Sequence, residues 1–295
     1  MKNLDSINTV PDFILPNKES ILNLRDLIVL QLSLFEKLLD KKGKVICLTK
    51  EQDKVEFEDI FQDFIYFGLI KSYKSLRASL LLAENFLQED SQIILRTIYE
   101  NYLVIKFVNK TPKEVFHFTY KSLGISLDLI SHPVSKNGRL QKNKIINPNN
   151  GNVENFGLGM NKMAENLESK FEIELHKTFY PYLCEHTHLN MISSGNYRNE
   201  ENDKYIFNSL AGYYNPFVYL GYLLTLFIDF LTAEIGVSNQ NLAKKMFSQN
   251  KKLKKELVKF LSEYDKEKSI AGLVESMIER LKEEQKLKKP VPNTV

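Results

Sequence analysis

One stretch constrains this chain more than any other. Ser91 to Val108 reads SQIILRTIYENYLVIKFV, with Ile93, Ile94, Leu95, Ile98, Tyr102, Leu103, Val104, Ile105 and Phe107 spread around nearly the whole circumference of a helix. A helix apolar on that many sides is stable in water only when other elements cover it, so the chain must build several further helices around it. Arg96 and Glu100 nevertheless sit inside this stretch, one turn apart and on one face. A desolvated ion pair is replaceable by packed apolar residues without loss of stability. Two readings follow: a structural pair that fixes helix register, or a guanidinium and a carboxylate facing a polar cleft where Arg96 holds a phosphate.

Helical periodicity extends to most of the chain. Ile21, Leu24, Ile28, Phe35 and Leu38 fall at helical steps, with Gln31 in the same series, and predict a helix over about 19–41. A second runs from about Phe57 to Phe86. Asp90 or Ser91 caps a third that reaches about Asn109. Thr111-Pro112-Lys113-Glu114 has a cap residue, a first-turn proline and a glutamate three residues on, which predicts a helix to about Ser131. Ser135 to Gly159 contains Asn147-Pro148-Asn149-Asn150-Gly151 and three further glycines, and reads as a low-order loop. Further helices are expected over 161–177, from Pro181 to Ile192, and over 208–235. Val45 to Leu48 reads as a connection. With 12 Gly and 9 Pro in 295 residues, turn-rich all-β architectures are disfavoured. The expected fold is all-α: a multi-helix bundle domain over 1–237 and a basic helical C-terminal extension over 238–295.

Charge and targeting narrow the function classes. The formal net charge is +3, too balanced for a protein coated in nucleic acid. From Lys244 to Lys289, however, 14 Lys or Arg stand against 8 Asp or Glu. This stretch is either a solvated helical face or a basic surface for RNA. No charged residue occurs from Tyr205 through Ile228, but the strongly apolar part is too short for a membrane span, so a buried core helix and no membrane contact are expected. Two cysteines, Cys47 and Cys184, cannot form a disulfide framework, which points to the cytoplasm. No phosphate loop, dinucleotide fingerprint, Cys-x-x-Cys or Gly-x-Ser-x-Gly motif is present, and no cofactor is implied.

The second informative segment is Tyr180-Pro181-Tyr182-Leu183-Cys184-Glu185-His186-Thr187-His188-Leu189-Asn190. With Pro181 in a first turn, Cys184, His188, Met191 and Ile192 share one side, so His188 points inward, while Glu185 lies nearly one turn before it. His186 is on another face, so the two histidines are no chelating pair. Cys184 reads as packed rather than nucleophilic. Glu114-x-x-His117 and Glu185-x-x-His188 also have the spacing of di-metal carboxylate bundles, with Glu84 or Glu100 and Glu154 or Glu172 as the remaining ligands.

The Arg-x-x-x-Glu helix (Arg96, Glu100), followed by Cys184-Glu185, His188 and Asn190, resembles an uncharacterised bacterial family of helical proteins known as a domain of unknown function, number five-six-seven-seven. The resemblance spans roughly Phe57 to Ile235. It implies an all-helical fold, no established reaction, and Arg96, Glu100, Glu185 and His188 as site positions. A more distant similarity is to the helical ribonucleases of the HEPN superfamily, which work as dimers with Arg and His on one helix. Here no Arg is followed by His at short spacing, so Arg96 and His188 would have to come from different helices. The leading expectation is a metal-independent RNA endonuclease, as in phage defence, with His188 as general acid/base, Arg96 on phosphate, and Glu100 orienting one of them. RNA through the C-terminal helices and a homodimer are the partners this reading names. A non-enzymatic helical interaction module and the di-metal bundle are the alternatives.

Overall fold

A computed structural model describes residues 17–40, 57–187, 197–199, 204–205, 212–235, 239–264, 275 and 277–282. The fold is all-α, with two very short antiparallel strand pairs among the described residues. The helices are α1 (Lys18–Leu39), α2 (Phe57–Glu84), α3 (Gln88–Lys110), α4 (Ser122–Ser126), α5 (Met160–Asn166), α6 (Lys170–Glu185), α7 (Asn215–Phe230) and α8 (Gln240–Tyr264). The strands are β1 (Lys144–Ile146), β2 (Val153–Asn155), β3 (Arg198–Asn199) and β4 (Lys204–Tyr205). Backbone contacts divide the chain into two units: residues 1–42, 70–102 and 174–295 in the first, 43–69 and 103–173 in the second.

In the first unit α1, α7 and α8 pack on one another. From Pro216 to Phe230 every residue of α7 except Asp229 is buried. With its short π-helical continuation to Ile235, α7 is long and apolar enough to cross a membrane, yet 83% of its most apolar window is buried inside the protein. It is a core helix, as expected from its composition. Gly221 brings its neighbours close: a Cβ there would lie 3.3 Å from Leu257 Cδ2 of α8 and 3.4 Å from Ile28 Cδ1 of α1. The stretch read as a C-terminal extension therefore contributes α8, through Met246, Leu253, Leu257 and Phe260, to the same core. Gln31, the one polar residue in the α1 stripe, is buried and donates to the Met246 carbonyl at 3.2 Å. Between α2 and α3 the chain turns at Phe86, whose φ of 58° is costly for a bulky residue. Its fully buried ring offsets that strain. Beside the turn, the Ser79 and Ser91 hydroxyls meet at 2.8 Å, and Ser91 Oγ lies 3.0 Å from the Ser79 carbonyl.

The second unit corrects two expectations. Residues 111–131 are not one helix. Thr111 makes no side-chain cap, a 3-10 turn covers Pro112–Glu114, a π-helical turn covers His117–Lys121, and α4 ends at Ser126. The stretch read as a low-order loop holds a β-hairpin, β1 pairing with β2 so that Ile145 faces Glu154. Its turn is built by asparagine side chains: Asn147 Oδ1 accepts from the Asn149 amide and Asn150 Oδ1 from the Asn152 amide, both at 2.9 Å. Gly151 supplies the left-handed φ of 71°. Nearby, Lys110 Nζ donates to the last carbonyls of α5, Asn166 O at 3.0 Å and Leu167 O at 2.9 Å, where a cation complements the helix end. Lys106 Nζ holds the buried Glu172 at 2.9 Å.

Candidate functional site

Pro181 does not start a helix; it lies inside α6. A proline removes the amide that would bond the carbonyl four residues earlier, at Lys177. Both Pro181 and Lys177 are on the exposed side of α6, where a freed carbonyl can be solvated, and the helix continues. That continuity sets the site. His176 and Tyr180 are one turn apart on α6, and Thr187 follows on nearly the same angular position. Thr187 closes the helix end, its amide and its hydroxyl both donating to the Cys184 carbonyl, at 3.1 and 2.8 Å.

Arg96 and Glu100 meet this face within the first unit. Arg96 Nε donates to Glu100 Oε1 at 2.9 Å, Nη1 to Thr187 Oγ1 at 2.7 Å and Nη2 to the Tyr180 hydroxyl at 3.3 Å. Tyr180 donates its own proton to the same Glu100 oxygen at 2.9 Å. The guanidinium lies 5.5 Å from the Tyr180 ring centre. Behind Tyr180, His176 stacks at 4.7 Å between ring centres, and the Tyr99 hydroxyl approaches His176 Nδ1 at 3.3 Å. His176 and Tyr99 are buried, whereas the side chains of Arg96 and Glu100 are 25% and 28% exposed. The pair is therefore about a quarter exposed to solvent and not fully desolvated.

The electrostatics favour a charged Arg96 and a neutral Tyr180. Burial opposes the charged guanidinium, but the bonds to Glu100 and Tyr180 more than offset it and hold the Arg96 pKa above its ordinary value. Burial, and then the bond to Glu100, push the Tyr180 hydroxyl up, so it stays a proton donor. Burial drives Tyr182 up to about 12 and lowers His186, leaving the latter imidazole neutral. Three of the five guanidinium N–H groups are engaged by described residues.

Of the residues singled out in the sequence, Arg96 and Glu100 come together. Glu185 is exposed at the end of α6 and takes no part in the cluster. His188 lies outside the described residues, immediately after Thr187 in the chain, and the expected helical course to Ile192 runs outside them as well. Tyr180, His176, Tyr99 and Thr187 were not singled out as site residues. The signal that reveals them is the one-turn spacing of His176 and Tyr180, visible only when α6 is read through Pro181.

The carboxylates considered for a metal are otherwise engaged. Glu84 lies 3.9 Å from Arg25, Glu100 holds Arg96, Glu154 accepts from Asn147, and Glu172 holds Lys106. Glu114 and His117 are 3.7 Å apart, but among the described residues no three of His, Cys, Asp and Glu gather as a metal-ligand set.

Fold and site together define an all-α protein with an Arg–Glu–Tyr cluster joining two helices. Residues 62–205 match the model of a family of unknown function (DUF5677), the family that the Arg96, Glu100, Glu185 and His188 motifs resemble. No curated protein and no solved structure matches the chain.

Proposed function

We propose that the cluster around Arg96 is the phosphate-binding half of a metal-independent RNA endonuclease site, of the kind used in phage defence. The observation that carries this reading is the bond from Arg96 to Thr187, which ties a partly exposed, pre-oriented guanidinium to the residue preceding His188. In this reading Glu100 and Tyr180 orient Arg96, whose two N–H groups not engaged by described residues take a phosphodiester oxygen. His188 removes the proton from the ribose 2′-hydroxyl, whose oxygen attacks the adjacent phosphorus. The 5′-oxygen leaves and is protonated by solvent, giving a 2′,3′-cyclic phosphate and a 5′-hydroxyl end. Purified protein then cleaves RNA in EDTA, His188→Ala abolishes cleavage with little change in melting temperature, and Arg96→Ala weakens both cleavage and binding.

One observation favours the non-enzymatic alternative: Glu100 already neutralises Arg96, as in a structural tie between α3 and α6. That reading gives no cleavage by the wild type and a loss of about 1–3 kcal/mol for Arg96→Ala or Glu100→Ala. Loss of stability without any activity to lose sinks the enzyme proposal.

A further inference from the structure

α8 contains seven lysines and two glutamates. The structure sorts them. Lys254 is buried and spent on Asp229 of α7. Lys251 is drawn over the Phe247 ring, with Nζ 4.9 Å from its centre. Lys244, Lys245, Lys252, Lys255 and Lys259 are exposed, and none forms an ion pair or hydrogen bond with another described residue. Lys244, Lys252, Lys255 and Lys259, with Ser248 between the first two, recur at one- to two-turn intervals on one face. They make a row of roughly 22 Å along the helix.

We infer that this face of α8 is a rail for the phosphate backbone of single-stranded RNA. Charge complementarity identifies the occupant. Ammonium groups in a line, without a partner among the described residues, match a polyanion whose charges are also in a line, and their strong hydration suits contacts that follow a backbone without reading bases. An anionic bilayer fits less well, because interfacial helices sink an apolar face into lipid. The apolar face of α8, with Leu253, Leu257 and Phe260, is buried against the protein's own core. The inference deepens the endonuclease reading and rests on RNA being its substrate, since the rail would hold the strand that the site cuts.

The test is fluorescence anisotropy of the full chain with a single-stranded uridine oligonucleotide in EDTA, read in the His188→Ala background so that the probe survives. Affinity should fall roughly fiftyfold between about 50 and about 200 mM salt if the four lysines of the row contact phosphate. Replacing Lys244, Lys252, Lys255 and Lys259 together by Gln should weaken binding at least tenfold and lower the salt slope by about three. The same four positions changed to Arg should retain binding, and both variants should keep the wild-type circular dichroism. Arg96→Ala should leave most of the salt slope in place. If the wild type cuts no RNA while binding still depends on these lysines, the endonuclease reading fails and the rail stands. Equal binding by the Gln variant, or binding only to vesicles of equimolar phosphatidylserine and phosphatidylcholine, overturns the rail.

Discussion

The Tyr180 hydroxyl donates to Glu100 Oε1 at 2.9 Å, sharing that oxygen with Arg96 Nε across 80 residues of sequence. Tyr180 thus binds both members of the ion pair, as donor to one and acceptor from the other. Tyr180→Phe keeps the ring beside Arg96 and His176 and removes only these two bonds. Urea unfolding should register a loss of about 1–2 kcal/mol. An unchanged midpoint would show that the hydroxyl contributes nothing to the cluster.

Asp229 and Lys254 join α7 to α8, and Asn250 Nδ2 donates to the other Asp229 oxygen at 2.8 Å. Removing the acid takes a carboxylate from a lysine whose side chain is 5% exposed. Asp229→Ala should therefore cost about 2–4 kcal/mol, while Lys254→Met, which fills similar volume with apolar atoms, should cost clearly less. Equal losses, measured by chemical denaturation, would contradict this asymmetry.

Gly68 of α2 faces Ile105 of α3 within the second unit. A Cβ at Gly68 would stand 2.7 Å from Ile105 Cγ1 and 2.8 Å from Cδ1. Gly68→Ala should destabilise by about 1–3 kcal/mol despite the better helix propensity of alanine. In the background of Ile105→Ala the same change should cost nothing or stabilise, a coupling that a double-mutant cycle reads directly.

His186 has its pKa lowered by burial. A base whose folded pKa lies below its unfolded value of 6.5 leaves the unfolded chain binding more protons just below that pH. Stability should thus fall as the pH drops below about 6.5 and stop falling once the folded state is protonated too. Glu84 and Glu89, raised by burial, act in the opposite direction from 4.5 upward, so the comparison must be made against His186→Gln. Identical urea midpoints for the two proteins between pH 7.5 and pH 5.5 would dismiss the effect.

The first three helices and the core role of α7 were legible because apolar residues at helical steps report burial directly. The inward-facing Gln31 and the Arg96–Glu100 face were legible for the same reason. Pro181 misled, since a local rule about a missing amide says nothing of whether water can reach the freed carbonyl. The error hid the shared face of His176, Tyr180 and Thr187, and with it most of the cluster. The hairpin at 144–155 was obscured differently: Asn147-Pro148-Asn149-Asn150-Gly151 and the glycines around it were read as one low-order loop, because strands of three residues carry too little alternation to be recognised. The apolar neighbours of Arg96 in sequence do not decide its burial, since its exposure depends on what α6 leaves uncovered.

The burial of nearly all of α7 has a consequence for biosynthesis. One of its covers, α1, is made long before it, but the other, α8, follows it from the ribosome. At 5–20 residues per second the interval from Phe230 to Tyr264 lasts roughly two to seven seconds. During that time the face of α7 that will receive Leu253, Leu257 and Phe260 has no native cover. A nascent chain in that condition is a natural client for hydrophobic-binding chaperones, and a ribosome stalled between α7 and α8 would hold the chain at its stickiest point.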